Sequence, residues 1–255
     1  MFIDTHGHLT RQYADGADEI ICRAKDAGVG VIVCPTAETD DIPEALNIAK
    51  THDNIFCTIG LHPDCADTVA NARDFLTNDV LTNEKVVGIG EIGLDYHMGD
   101  DNKANQIRLF SEQLEIARQY DLPVAIHTRD AEYDTAQILT DKNYGVLHCF
   151  TSSWDLAKIM LNRGFYFSAS GILTFKNAQD LRDTFAKIPN DRIVIETDSP
   201  YCAPVPYRGK TCEPAFVIET AKVLAEIKHL QIDELESILM ENTIRLYPKT
   251  KNIIQ

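Results

Sequence analysis

Short apolar segments alternate with longer amphipathic segments along the 255 residues of this chain, and this alternation limits the possible folds more than any other feature. Short apolar runs are typical of buried strands, and a period of about 3.6 residues is typical of helices. The pattern predicts eight strands, at residues 2–5, 29–34, 55–59, 86–90, 123–126, 145–147, 165–168 and 193–196. It predicts helices at residues 16–27, 42–51, 103–120, 131–140, 154–162, 178–186, 214–227 and 232–247.

Repeated strand and helix units predict an α/β fold around a parallel sheet. A single-domain (β/α)8 TIM barrel over residues 1–255 fits both the number of strands and the length, because such barrels have about 250 residues. A doubly wound open sheet is the alternative. In a barrel the first and last strands become neighbours, and the active site lies at the carboxyl ends of the strands.

Possible metal ligands occur where the predicted strands end. His6 and His8, in the segment Asp-Thr-His-Gly-His at 4–8, follow the first strand, and two histidines at this spacing can face one ion. Later strands are followed by further candidates, which are Glu91, His127, His148 and Asp198. We expect a barrel to bring all six together. A lone histidine is more often a surface or core residue, which is our interpretation of His52, His97 and His229.

Six such ligands exceed the four of a structural zinc site, so we expect two divalent ions, Mg²⁺, Mn²⁺ or Zn²⁺, with open positions for water and substrate. Glu91 has two carboxylate oxygens and could bridge the ions. The expected division is His6, His8 and Asp198 with Glu91 on one ion, and His127 and His148 with Glu91 on the other. Asp198 is the candidate to orient the attacking water or accept its proton. Gly88, Gly90 and Gly93 are expected to leave room beside Glu91 for a ligand.

The net charge of −15 argues against a broad basic surface that binds nucleic acid by charge alone. Bound metal ions would therefore have to offset the charge of a phosphate-bearing substrate. We expect no signal peptide, since residues 1–3 lead directly into the ligand motif, and no membrane span. The seven scattered cysteines predict reduced thiols and a cytoplasmic protein. No sequence feature specifies an oligomeric state.

Six motifs together resemble those of the TatD family of metal-dependent deoxyribonucleases in the amidohydrolase superfamily. They are Asp-Thr-His-Gly-His-Leu at 4–9, Gly-Leu-His-Pro at 60–63, Gly-Glu-Ile-Gly-Leu-Asp-Tyr at 90–96, Ile-His-Thr-Arg-Asp-Ala at 126–131, Leu-His-Cys-Phe at 147–150 and Glu-Thr-Asp-Ser-Pro-Tyr at 196–201. The resemblance implies DNA as substrate, exonuclease activity and metal binding by the six candidate ligands. It also implies that His62 acts near the phosphate, in catalysis or substrate binding. The alternative for His62 is a turn residue held by Pro63.

Arg129 and Arg208 are the candidate phosphate partners, because guanidinium groups can form paired hydrogen bonds with phosphate. The alternative for Arg129 is a weak ion pair with Asp130. Three tyrosines near the ligand motifs could stack on bases or simply pack in the fold, and they are Tyr96, Tyr201 and Tyr207. Tyr201 is our candidate for substrate binding.

Two positions depart from the family pattern. Gly7 replaces a usual cysteine or alanine between the two histidines, which should preserve metal binding because no ligand is lost. Cys212 lies where an asparagine is usual, and it removes an amide that could hold the loop or touch substrate. Cys149 and Phe150, after His148, are expected to face the barrel wall or the helices.

Two other functions compete with the nuclease. A hydrolase of the same superfamily could act on an amide, a lactone or a small phosphoester. Many such relatives bridge their ions with a carboxylated lysine at the end of the fourth strand, whereas this chain has Glu91 there and Lys85 before the strand. A scaffold protein without chemistry is the third possibility, and the full ligand set argues against it.

Overall fold

The protein, described here by a computed structural model over residues 1–10, 13–99 and 101–254, contains eight parallel strands that pair in sequence order. The strands are β1 Phe2–Asp4, β2 Val29–Pro35, β3 Ile55–Thr58, β4 Val86–Asp95, β5 Val124–Arg129, β6 Gly145–Leu147, β7 Tyr166–Ala169 and β8 Ile193–Ile195. The backbone N–H of Thr5 donates to Ile195 O at 3.0 Å, which connects β1 with β8. This order confirms the single-domain (β/α)8 barrel and excludes the doubly wound sheet.

Ten α-helices surround or follow the strands in the described residues. They are α1 Ala17–Asp26, α2 Asp41–Thr51, α3 Asn78–Leu81, α4 Lys103–Tyr120, α5 Glu132–Ile138, α6 Trp154–Asn162, α7 Gln179–Lys187, α8 Val217–Lys228, α9 Ile232–Leu246 and α10 Lys251–Ile254. The third unit has no long helix, and none was predicted there: β3 is followed only by 3-10 turns at Pro63–Cys65 and Ala72–Asp74 and by the four-residue α3. His62 and Asn71 cap these turns with their side chains, and such local hydrogen bonds compete with a long helix.

Two hydrophobic clusters stabilise the barrel. The larger one lies between the strands and the surrounding helices. The smaller one, which we call the inner cluster, receives side chains from all eight strands and from the end of α9. Its buried members are Ile3, Val31, Val33, Phe56, Val87, Ala125, Val146, Tyr166, Val194, Leu246 and Tyr247. Since each strand contributes to it, the inner cluster fills the inside of the barrel.

Strands β4 and β5 are longer than predicted, so that Glu91 and His127 lie within strands and not beyond their ends. The neighbouring glycines have a role in strand packing that the sequence analysis did not predict. A Cβ atom on Gly90 would lie 2.6 Å from the Cβ of Ala125, and one on Gly93, where φ is 150°, would lie 2.0 Å from His127 O. These glycines therefore allow β4 and β5 to approach each other closely. Across the described part of the chain, no helix combines the length and apolarity that a membrane crossing requires.

Candidate metal centre

Glu91 lies at the centre of the histidines that the sequence singled out. Its Oε2 atom is 3.5 Å from His6 Nε2 and 3.6 Å from His8 Nε2. Its Oε1 atom is 2.7 Å from His148 Nε2 and 2.8 Å from His127 Nδ1. The two oxygens of one carboxylate thus face two separate pairs of imidazoles.

Asp198 completes the group beside β1. Its Oδ1 atom lies 4.0 Å from His6 Nε2 and 3.9 Å from His8 Nε2. His6 is 1% exposed, and its Nε2 atom has no hydrogen-bond partner among the described residues. An unpaired buried nitrogen that faces two carboxylates across gaps longer than a hydrogen bond fits a cation between them. The donor set, imidazole and carboxylate, suits zinc, manganese or a related divalent ion.

The protonation states of Glu91 and His8 suit metal ligands. Burial raises the pKa of the Glu91 carboxyl, but the imidazoles of His148, His62 and His127 outweigh burial and hold that pKa well below its usual value. Burial, together with the nearby His6 ring, lowers the pKa of His8 to about 3. Glu91 is therefore an anion and His8 a neutral ring with a free lone pair, which are the forms that bind metal.

Two carboxylates that the sequence analysis missed hold the ligand rings. Asp95 Oδ2 lies 3.0 Å from His127 Nε2, and Glu196 Oε1 lies 3.3 Å from His148 Nδ1. Such partners fix the orientation of a ligating imidazole. Both residues belong to the quoted motifs, at 90–96 and 196–201. Asp95 lies four residues after Glu91 on β4, and Glu196 lies two residues before Asp198 just after β8, so the signal was an acidic residue an even number of positions from a ligand.

A third buried carboxylate, Asp4, connects the first and last strands. Its Oδ1 atom accepts hydrogen bonds from the backbone N–H groups of His6 at 3.2 Å and Thr197 at 3.0 Å. Burial raises the pKa of Asp4 to about 8. Asp4 therefore fixes the backbone that carries His6 and Asp198 without facing the cavity itself.

His62 is a turn residue, as the alternative for it predicted, and its ring also faces the cluster. Its Nδ1 atom accepts a hydrogen bond from Asp64 N at 3.2 Å and so caps the turn at Pro63–Cys65. Its Nε2 atom lies 3.7 Å from Glu91 Oε1, on the side of His127 and His148. The turn thus aims the free nitrogen of His62 at the cluster.

A cavity of about 890 Å³ opens above these residues. Arg129 and Tyr201 line it, and both are more than half exposed. Arg129 Nη1 lies 3.9 Å from Asp95 Oδ2, while Asp130 pairs with His97, so the expected alternative of an Arg129 pair with Asp130 is not observed. The acidic residues of the lining outnumber this arginine, and they are Glu38, Asp41, Asp64, Glu91, Asp95 and Asp198.

Three other candidates lie elsewhere. The guanidinium of Arg208 stacks on the Phe175 ring at 3.7 Å, and Arg208 is not among the described residues that line the cavity. Tyr207 stacks on Phe216 at 3.9 Å, and the Tyr96 hydroxyl donates to Asp134 at 2.9 Å. Packing therefore accounts for Tyr96 and Tyr207, whereas Tyr201 is available in the cavity.

The two departures from the family pattern have structural explanations. A Cβ atom on Gly7 would lie 2.9 Å from Asp4 Oδ2, so glycine accommodates the close approach of this carboxylate. Cys212 is buried, and its backbone N–H donates to Pro200 O at 3.0 Å, which holds the loop without the usual amide. Lys85 is also remote from the centre, because its ammonium donates to Asp53 O at 2.7 Å.

The residues after His148 point in different directions. Phe150 is buried and packs edge-on against Phe167, with ring centroids 5.0 Å apart, as expected. The expectation for Cys149 was wrong, because its side chain lines the cavity. At Cys149 φ is 38°, and this left-handed backbone breaks the regular alternation of the strand that the sequence analysis assumed.

Comparison with known proteins agrees with this geometry. The family described as TatD related DNase matches residues 3–248. YabD of Bacillus subtilis, named an uncharacterized metal-dependent hydrolase, is 38% identical over 252 residues, which cover 97% of this chain and 99% of YabD. YcfH of Escherichia coli, named in the same way, is 35% identical over 253 residues, covering 96% of this chain and 95% of YcfH.

Solved structures show the same fold. The crystal structure of YjjV, a TatD homologue from Escherichia coli, superposes with a TM-score of 0.89 at 30% identity and covers 97% of this chain and 98% of its own. A TatD family hydrolase from Entamoeba histolytica has a TM-score of 0.84 at 25% identity, with coverage of 96% and 97%. The protein is therefore a member of the TatD-related DNase family of metal-dependent hydrolases.

Proposed function

We propose that this protein is a deoxyribonuclease that hydrolyses DNA phosphodiester bonds, as an exonuclease, at a centre of two divalent ions. The observation that carries this proposal is the position of Glu91, whose two oxygens face separate imidazole pairs at 2.7–3.6 Å. The proposed ligands are His6, His8, Glu91, His127, His148 and Asp198. The name of the matching family supports DNA as the substrate.

The chain's own residues supply positions and a proton acceptor. When bound, divalent ions lower the pKa of water and offset the charge of the phosphodiester. The Asp198 carboxylate, beside His6 and His8, would orient the attacking water and accept its proton. Asp95 and Glu196 hold the rings of His127 and His148 in their ligating orientation.

Substrate contacts would come from residues that face the cavity. The Arg129 guanidinium can bind the phosphate in a bidentate manner, and the free Nε2 of His62 can donate to a phosphate oxygen. The Tyr201 ring, 56% exposed, can stack on a base. Arg208 stays a predicted phosphate contact on the loop after β8.

The acidic lining of the cavity favours a second candidate. Six carboxylates and one arginine among the described lining residues would repel a polyanion in the absence of metal ions. A small uncharged amide or lactone would not meet this repulsion, and a small phosphoester would meet less of it than a polyanion does. The nuclease is our main proposal because bound cations would reverse the local charge beside Glu91 and Asp198.

Digestion of end-labelled DNA by metal-stripped and metal-restored protein tests the nuclease. We expect digestion only after Mn²⁺, Mg²⁺ or Zn²⁺ is restored, and we expect Glu91→Ala to remain inactive with metal. The size of the first labelled product separates exonuclease from endonuclease action, and single-stranded and double-stranded substrates should be compared. A parallel assay with small amides, lactones and phosphoesters tests the second candidate.

Glu241→Gln is the matched control, because Glu241 lies on the surface of α9 and pairs only with Arg245 in the described structure. This variant should digest DNA like the parent protein. DNA digestion that survives both metal removal and Glu91→Ala would refute the metal centre. Hydrolysis of small substrates without DNA digestion would replace the nuclease by the second candidate.

A further inference from the structure

Two thiols face each other over Asp198 at the edge of the cavity. Cys149 follows β6 and Cys202 follows β8, and both are half-buried residues of the cavity lining. Cys202 Sγ lies 3.5 Å from Asp198 Oδ2. Ligand atoms of Cys149, Cys202 and Asp198 all lie within 4.8 Å of one another. Two sulfur atoms that do not belong to the ligand set of the candidate metal centre thus converge on Asp198, which does.

The backbone fixes this arrangement. The values of φ are 38° at Cys149, 53° at Cys202 and 55° at Asp198, and these are three of the six described residues other than glycine with positive φ. This region is unfavourable for residues with a side chain, and it persists where the surroundings impose it. The Cys149 N–H donates to Glu196 Oε1 at 2.6 Å, and the Asp198 N–H donates to His6 O at 2.9 Å. The thiols are therefore held over Asp198 before any ligand binds.

Sulfur ligands select different ions from those that suit imidazole and carboxylate. Thiolates prefer soft or borderline cations such as Zn²⁺, Cd²⁺ and Co²⁺ over Mg²⁺ or Mn²⁺. In a tetrahedral zinc site, a sulfur at about 2.3 Å and an oxygen at about 2.0 Å from the ion lie about 3.5 Å apart. The Cys202 thiol donates a hydrogen bond to Asp198 Oδ2 over the same 3.5 Å, so an ion could replace the thiol proton without moving either atom. Three protein ligands leave one tetrahedral position open to water.

We propose that Cys149, Cys202 and Asp198 form a separate site for a thiophilic divalent cation, such as Zn²⁺, next to the candidate metal centre. Each thiol loses its proton when it binds the ion. The two sites would share Asp198, since its Oδ1 faces His6 and His8 while its Oδ2 faces Cys202. An ion held by the thiols would therefore compete for the carboxylate to which we assign the proton transfer.

This site is independent of the proposed nuclease activity, because it depends on the positions of three side chains and not on the reaction. Its test is therefore spectroscopic. Reduced, metal-stripped protein is titrated with Co²⁺, and absorption is recorded in the visible and near-ultraviolet. Nitrogen and oxygen ligands of the candidate metal centre give only weak visible bands, whereas thiolate ligands add strong near-ultraviolet charge-transfer absorption.

We expect this near-ultraviolet absorption in the parent protein and its loss when excess Zn²⁺ displaces Co²⁺. The Cys202→Ser and Cys149→Ser variants should each lose most of it and bind one ion fewer in equilibrium dialysis. Cys65→Ser is the matched control, because Cys65 lines the same cavity but belongs to no group of possible metal ligands among the described residues. This control should keep the full absorption.

The visible cobalt bands and the circular dichroism of each variant show whether the barrel and the candidate metal centre remain intact. Absence of near-ultraviolet absorption in the reduced parent protein would overturn the proposed site. Equal absorption in the parent protein and in both Cys202→Ser and Cys149→Ser would also overturn it, because the sulfur ligands would then be other cysteines.

Discussion

The inside of the barrel has two regions that lie on the same strands but differ in chemistry. On β5, β6 and β8 the apolar residues Ala125, Val146 and Val194 belong to the inner cluster. Two residues further along the chain lie His127 on β5, His148 just after β6 and Glu196 just after β8. Side chains that face the same side of a strand are two residues apart. The change from core residue to site residue therefore occurs between two successive inward positions.

The two regions also differ in how their side chains find partners. The inner cluster is filled by its own side chains, with Val31, Val33 and Val194 fully buried. The region at the carboxyl ends of the strands, which we call the upper region, brings imidazoles and carboxylates together. It leaves His6 Nε2 without a hydrogen-bond partner among the described residues. The inner cluster should therefore determine stability without a ligand, whereas the upper region should gain stability when cations bind.

The largest expected effect is the loss of packing in the inner cluster. Phe56→Ala should lower the free energy of unfolding by about 3–5 kcal/mol, because it removes a buried ring and leaves a cavity. Denaturant unfolding measures this loss, with Phe56→Leu as a milder control. The variant should keep the increase in stability that Mn²⁺ gives the parent protein. If the Mn²⁺ effect disappears with the ring, the two regions are not separate.

Metal binding should stabilise the upper region by a smaller amount. A cation at 100 times its dissociation constant should raise the free energy of unfolding by about 2.7 kcal/mol if it binds only the folded chain. Glu91→Gln should abolish this increase, since Glu91 lies between both imidazole pairs. Thermal unfolding with and without Mn²⁺ checks this, with Glu241→Gln as control. An unchanged Mn²⁺ effect in Glu91→Gln would contradict the assignment of Glu91.

Removing a partner of a ligand should have an intermediate effect. Asp95→Asn should weaken binding of the ion at His127 about 10- to 100-fold, because the carboxylate orients this ring. Calorimetric titration with Mn²⁺ measures the change. Asp130→Asn is the control, because Asp130 contacts His97 at the rim and no ligand. Equal affinities in both variants would show that Asp95 does not position the ring.

The smallest effect is expected at Tyr247, which closes the inner cluster from the end of α9. Its hydroxyl is buried and has no hydrogen-bond partner in the described structure. Tyr247→Phe should therefore change the free energy of unfolding by less than about 1 kcal/mol, or increase it slightly. Denaturant unfolding checks this. A loss as large as that of Phe56→Ala would show that the hydroxyl is bonded.

Much of the barrel could be predicted because strands and helices have different hydrophobic periods. The helix Lys103–Tyr120 has the predicted bounds, and so does the strand Gly145–Leu147. The ends of β4 and β5 were missed because hydrophobicity identifies only the apolar part of a strand. Glu91 and His127 continue these strands with polar side chains that face the inside of the barrel.

The sequence associated the six proposed ligands with strand ends, and the structure has Glu91 and His127 within strands and the other four after strands. Their partners could not be predicted in the same way. The spacing of Asp95 from Glu91 and of Glu196 from Asp198 is a weak sequence signal, and only the distances to particular ring nitrogens show which histidines they hold. Arg208 was predicted from its place after the eighth strand, but the loop turns its guanidinium onto Phe175. Backbone conformation in loops is not encoded in hydrophobic periodicity.

We expect the barrel to hold two divalent ions around Glu91, at the carboxyl ends of its strands. Anomalous scattering from crystals soaked in Mn²⁺ tests it most directly. We expect two manganese peaks on opposite sides of the Glu91 carboxylate, one beside His6 and His8 and the other beside His127 and His148. Crystals that show no manganese at Glu91 under saturating Mn²⁺ would contradict the claim.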